Sequence, residues 1–151
     1  MTLFDSVEQR PPSIWRRYLI TGLVAVVLAG IGLFIVLRFH KERVTIFHFM
    51  NAVAAGNMQQ AYQIWKPTES YTFQRFLEDW GPNGYYAPVK SYQIRPWSAQ
   101  HISGGKTIAI KVELSPYQPF PDENDMLKQS KTQEITLWIQ SDDQSISFPP
   151  E

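Results

Sequence analysis

The chain of 151 residues contains no cysteine. That single absence removes a disulfide framework, cysteine-ligated zinc or iron–sulfur centres, a thiol nucleophile and a lipidated cysteine as anchor. Clustered basic charge is also missing: residues 44–151 carry eight Lys/Arg against eleven Asp/Glu. A mildly acidic domain is a poor polyanion binder, which argues against nucleic acid as a partner. There is no internal repeat and no catalytic motif. No ligand set in the sequence calls for a metal or another cofactor.

What is present first is a run of twenty uncharged residues, Tyr18 to Leu37, with Arg16 and Arg17 before it and Arg38, Lys41 and Arg43 after. As a helix it covers about 30 Å, the hydrocarbon thickness of a bilayer, while satisfying its own backbone groups. Its Leu, Ile, Val and Phe residues outweigh the small penalties of Thr21 and the Gly and Ala positions. A cleavable signal has a shorter apolar core ending in small residues. This one ends in Ile35-Val36-Leu37-Arg38, which predicts an uncleaved anchor. The expected organisation is a tail over 1–17, a transmembrane helix over 18–37, a soluble domain over 38–148 and a short tail over 149–151. Gly22, Ala25, Ala29 and Gly32 share one face of the span. That stripe either permits close packing of a homodimer or is the ordinary small-residue content of a span.

The flanking charges are balanced, with Arg10, Arg16 and Arg17 on one side and Arg38, Lys41 and Arg43 on the other. The charge rule alone therefore leaves orientation undecided. A short tail with two arginines against the membrane is harder to export than to retain. The expectation is thus a single-pass protein of the inner cell membrane, its N-terminus cytoplasmic and its domain outside.

Beyond the span, sixteen of the 21 aromatic residues supply enough apolar area for one small core. Nothing from Arg38 to Ala55 breaks a helix, so the span is free to run on into the domain. Ile46, Phe49, Met50 and Val53 then fall on one helical face. Gly56 is placed to cap that helix, and Asn57 with Gln60 opens a second, carrying Met58, Ala61, Tyr62 and Trp65 until Pro67. A third begins near Ser70 or Thr72, presents Phe73, Phe76, Leu77 and Trp80, and ends at Gly81-Pro82.

From there the period changes to two. Strands are predicted over Val89–Trp97, Lys106–Leu114, Glu134–Gln140 and Ser145–Phe148, with Gly104-Gly105 as a hairpin turn. The Pro-rich, acidic stretch from Ser115 to Thr132 is too long for a tight turn and predicts a projecting loop or lid. Gln118 to Lys131, with little to bury, is expected to be its most mobile part.

Phe49-Met50-Asn51-Ala52-Val53-Ala54-Ala55-Gly56-Asn57-Met58-Gln59-Gln60-Ala61-Tyr62, followed by a third helix and an antiparallel sheet, resembles the opening of nuclear transport factor two-like (cystatin-like) domains. The resemblance implies an α+β cone: three helices packed on a curved antiparallel sheet of about four strands. It departs from that pattern around Glu69 to Thr72, where no strand is evident. Trp80-Gly81-Pro82-Asn83-Gly84-Tyr85-Tyr86 and Ser115-Pro116-Tyr117 are similar to stretches of single-pass bacterial membrane proteins carrying such a domain. The resemblance implies no activity, because this fold hosts many.

For a proton-transfer site the raw material is His40, His48, His101, Glu78 and Asp79, and each reads more simply as a surface group. Asp122, Glu123, Asn124 and Asp125 lack the order of a calcium loop. Trp80, Tyr85, Tyr86 and Trp97 form the better candidate, a rim of amphipathic aromatics suited to a ligand or a protein, or else part of the core. The Trp80–Tyr86 segment is expected to meet the strand containing Trp97. Two functions follow. One is a non-enzymatic protein-interaction module of the cell envelope with an unidentified protein partner. The other is a small-ligand-binding or hydrolytic or isomerase-type cone closed by the lid. A filled interior beside exposed aromatics favours the first; an apolar cavity with a convergent carboxylate or His favours the second.

Overall fold

The computed structural model describes residues 14–95, 98–102 and 104–150 and divides into two compact units, Met1–Arg38 and Phe39–Glu151. In the first, the apolar run is one helix, α1 (Ile14–Leu37), long and apolar enough to cross a membrane, and each of its described side chains is exposed. It starts before Tyr18 because nothing in Ile14-Trp15-Arg16-Arg17 opposes a helix. The expected continuation into the domain does not occur: α1 stops at Leu37, and α2 (His40–Ala54) begins after Arg38 and Phe39.

In the second unit α2 buries Ile46, Phe49, Met50 and Val53, the face its periodicity marks. Glu42, one turn earlier, is also buried, and its place in the first turn puts a negative charge at the positive end of the helix. Gly56 at φ +75° ends α2. Its N–H bonds to Val53 O and that of Asn57 to Ala52 O, so two carbonyls left free by the helix find donors. Asn57 then accepts from Gln60 N to start α3 (Met58–Trp65), and Thr72 accepts from Arg75 N to start α4 (Phe73–Trp80). The segment between α3 and α4 carries no strand.

The sheet is open and antiparallel: β1 (Ser91–Ile94), β2 (Gln100–Ile102), β3 (Thr107–Ser115), β4 (Gln133–Gln140) and β5 (Ile146–Ser147), with the one-turn helix α5 (Met126–Gln129) between β3 and β4. Across the sheet the order is β1-β3-β4-β5, and β2 pairs with the same edge of β3 as β1 does. The single strand expected over Val89–Trp97 is therefore shorter, and a second piece follows it. Between the rungs Ile94↔Val112 and Gln100↔Ala109 this side carries three residues more than β3. Ser98 repairs the gap by accepting the Lys111 N–H at 3.2 Å while donating to Arg95 O at 2.8 Å. Gly104 and Gly105 make the β2–β3 turn, both in the left-handed region.

Inward-facing Ile108, Ile110, Val112 and Leu114 of β3 and Ile135, Leu137 and Ile139 of β4 meet the helices in one core. Its centre is aromatic. Phe49 lies 5.2 Å from Trp65, 6.3 Å from Phe76 and 5.0 Å from Trp80 between ring centroids. Each such ring contributes about 1.5–3 kcal/mol by burial, with a further ~0.5–1.5 kcal/mol from a well-placed pair. The outer face is polar. There Arg95 pairs with Glu113 at 2.5 Å, and Lys111 pairs with Glu134 at 2.8 Å.

Candidate functional site: the tyrosine rim beside the open edge of β4

The rim is built by the turn that ends α4. Gly81 N bonds to Leu77 O, Tyr85 N to Glu78 O at 2.8 Å and Tyr86 N to Asp79 O at 2.9 Å, so the chain doubles back over the last turn of the helix. Gly84 sits so close to that turn that a Cβ there would lie 2.6 Å from Asp79 O. The backbone thereby holds the two tyrosines side by side.

Their surroundings differ. Trp80 is 2% exposed and belongs to the core, with its indole Nε1–H buried and without a hydrogen-bond partner among the described residues. Tyr86 is half-buried on it, its ring 4.8 Å from Trp80 and 5.6 Å from Phe148. Tyr85 is 74% exposed and stands edge-on to Tyr86 at 5.0 Å. The fourth expected member, Trp97, lies outside the described residues, and so does its expected meeting with this segment. Of the span residues singled out, Gly22, Ala25, Ala29 and Gly32 all lie within α1 and are exposed.

Two groups join the rim that aromatic content alone does not mark. Asp79, half-buried, accepts the Tyr71 phenol at 2.5 Å. Burial, and then this carboxylate, push the Tyr71 hydroxyl well above its ordinary range; burial likewise raises Tyr86, with Asp79 as the second cause. Both phenols stay protonated donors. Beyond them runs the edge of β4, where Asp79, Tyr85 and Tyr86, Glu134 and Thr136, and Phe148, Pro149 and Pro150 all line one groove of about 560 Å³. The short tail expected over 149–151 thus contributes two prolines to the site.

The remaining candidates are dispersed. His48 is exposed on α2, and His101, also exposed, has its ring 5.1 Å from that of Phe39. Among the described residues no group of three or more His, Asp or Glu is placed to hold a metal ion. Ser91 Oγ donates to Tyr117 O at 2.5 Å and ties the start of the Ser115–Thr132 segment to β1, while Gln129 Nε2 donates to Pro121 O at 2.9 Å within the segment. Asp125 caps α5, so the expected irregular loop contains a short helix. Its tip exposes Met126 (81%) and Leu127 (85%). Between this segment and the outer sheet face lies an open groove of about 840 Å³, bordered by Arg95, Glu113, Phe120, Asp122 and Met126. No protein-family model, curated protein or solved structure matches the chain.

Proposed function

We propose that this is a single-pass membrane protein whose domain, from Phe39 onward, is a non-enzymatic protein-interaction module displayed on the outer side of the inner cell membrane. The carrying observation is a core closed by Phe49, Trp65, Phe76 and Trp80 with an exposed tyrosine pinned directly above it. Space that a catalytic cone would leave for substrate holds side chains, while Tyr85 and Tyr86 offer the rigid amphipathic area that protein contacts favour. The order of three helices before an antiparallel sheet, with the Gly56-Asn57 turn between the first two, supports reading the domain as a nuclear transport factor two-like cone.

Placement follows from α1 and its flanks. Exporting the short tail would drag Arg16 and Arg17, which lie immediately against the membrane, across the bilayer, whereas a signal-anchor arrangement leaves them inside and exports the domain. With no native cysteine to interfere, one cysteine at Ser130 should react with a membrane-impermeant thiol reagent in intact cells, and one at Ser6 should not. The opposite pattern would put the domain in the cytoplasm. For the interaction itself, a photo-cross-linking residue at Tyr85 should give a discrete adduct in cells, whereas one at the exposed Gln59 of α3 should not. Equal yields at both positions would remove the rim from consideration.

A further inference from the structure

We infer that the open edge of β4 is a strand-addition site, and that its ligand is an extended, basic segment of a partner protein. The inference rests on the reading of the tyrosine rim as an interaction surface and names what that surface takes.

Gln140 N donates to Ser145 O at 3.0 Å, while Ser141 N donates to Lys106 O at 2.8 Å on the opposite side. Backbone groups alternate along a strand, so those of Gln140, Trp138, Thr136 and Glu134 all point away from β3. β5 serves only the first part of this row, ending with the rung Trp138↔Ser147. The next rung would set Thr136 opposite Pro149, which has no N–H to give, so pairing stops there. Among the described residues, the N–H and C=O groups of Thr136 and Glu134 have no hydrogen-bond partner. These outward groups are a template for a short added strand, beside Tyr85 and Tyr86 and bordered by Pro149 and Pro150.

Charge selects the occupant. Among the described residues the groove is lined by Asp79 and Glu134 and by no Lys or Arg; Glu134 is already paired with Lys111 on the outer sheet face at 2.8 Å, which leaves Asp79 as the carboxylate open to a ligand. Among the described residues, Asp79 accepts one hydrogen bond, from Tyr71, and makes no ion pair. A lysine or arginine on an added strand would reach that carboxylate with the exposed face of Tyr85 alongside, a favourable setting for a cation. Backbone bonds would supply register, and the basic side chain would supply selectivity.

The test uses the isotope-labelled full chain in lipid nanodiscs and, as probe, a short synthetic peptide of alternating lysine and valine. At about ten times its Kd, the peptide should slow hydrogen exchange of the Glu134 and Thr136 amides by roughly tenfold. The Ile135 and Leu137 amides, already turned toward β3, should change little. The same peptide N-methylated on alternate residues should give no protection, and an alternating glutamate–valine peptide should bind more weakly. Thr136→Pro removes the outward N–H and should abolish protection at Glu134. Should that variant fail to fold, the N-methylated peptide asks the same question of the intact protein. No saturable binding, equal binding of the N-methylated form, or unchanged exchange at the two amides would overturn the proposal. So would protection that rises with protein concentration without peptide, which would make a second copy the occupant. A Tyr85 adduct in cells with those amides unchanged would sink strand addition alone; protected amides without an adduct would sink the cellular interaction reading instead.

Discussion

The phenol of Tyr71 donates to Oδ2 of Asp79 at 2.5 Å, joining the segment before α4 to that helix's last turn. A carboxylate at the C-terminal end of a helix meets the negative end of the helix dipole, and the donated proton offsets that. Tyr71 is held in turn by its ring, 5.6 Å from Trp65, and by its carbonyl, which accepts from Tyr62 Oη at 2.9 Å.

Removing the hydroxyl with Tyr71→Phe should destabilise the domain by about 1.5 kcal/mol, the low end for a hydrogen bond to a charged group because the pair is half-exposed. Urea unfolding would read this as a lower midpoint at constant slope. An unmoved midpoint would mean the bond contributes nothing to the fold.

Alkaline pH should act through the same tyrosines. Tyr71, Tyr86 and Tyr92 all titrate above the ordinary value of 10.0, chiefly through burial. A group whose pKa is raised on folding binds its proton more tightly in the native state. Its contribution is complete below the unfolded-state value near 10.0 and declines as pH rises beyond it. Stability measured from pH about 9 to 11 should therefore fall, and less steeply in Tyr71→Phe. A flat profile in the parent protein would contradict this.

Phe49 touches three other core rings, so Phe49→Ala should cost about 3–5 kcal/mol through lost burial and the cavity left behind. Tyr85→Ala, on the surface, should stay within about 0.5 kcal/mol of the parent. Similar losses for the two in calorimetry would mean that the rim is part of the core.

A methyl group at position 84 would lie 2.6 Å from Asp79 O. Gly84→Ala should therefore cost roughly 1–3 kcal/mol, as overpacking does, and shift the Tyr85 and Tyr86 amide resonances. Asn83→Ala, one residue earlier and exposed, is the control. Unchanged resonances in Gly84→Ala would show that the turn is not what sets the rim.

The helices were legible because their information is local. Ile46, Phe49, Met50 and Val53 declare a face by spacing, and Gly56-Asn57 declares a boundary by chemistry that acts within four residues; for the start of α4 the sequence leaves Ser70 and Thr72 open, and the cap is Thr72. The main strands, Thr107–Ser115 and Gln133–Gln140, were legible through alternation for the same reason. The break between β1 and β2 was not, since it rests on Ser98 reaching the Lys111 N–H across the sheet. The site was half legible. Tyr85 and Tyr86 stand out by type and Trp80 by its place on a helical face. The vacancy beside them depends on which β4 residue meets Pro149, a register that only the folded sheet defines.

Tyr85 and Tyr86 hold α4's final carbonyls through their amides, whereas their rings take no part in those bonds. Address and message are thereby separated: the turn dictates where two side chains stand, and leaves open which two they are. Tyr86 is constrained by its packing on Trp80, but position 85 could be rewritten to a different vocabulary of contacts with the scaffold undisturbed. A turn wired this way can change the side chain it displays by single substitutions and without refolding, and the same latitude makes position 85 the natural place to graft a new contact.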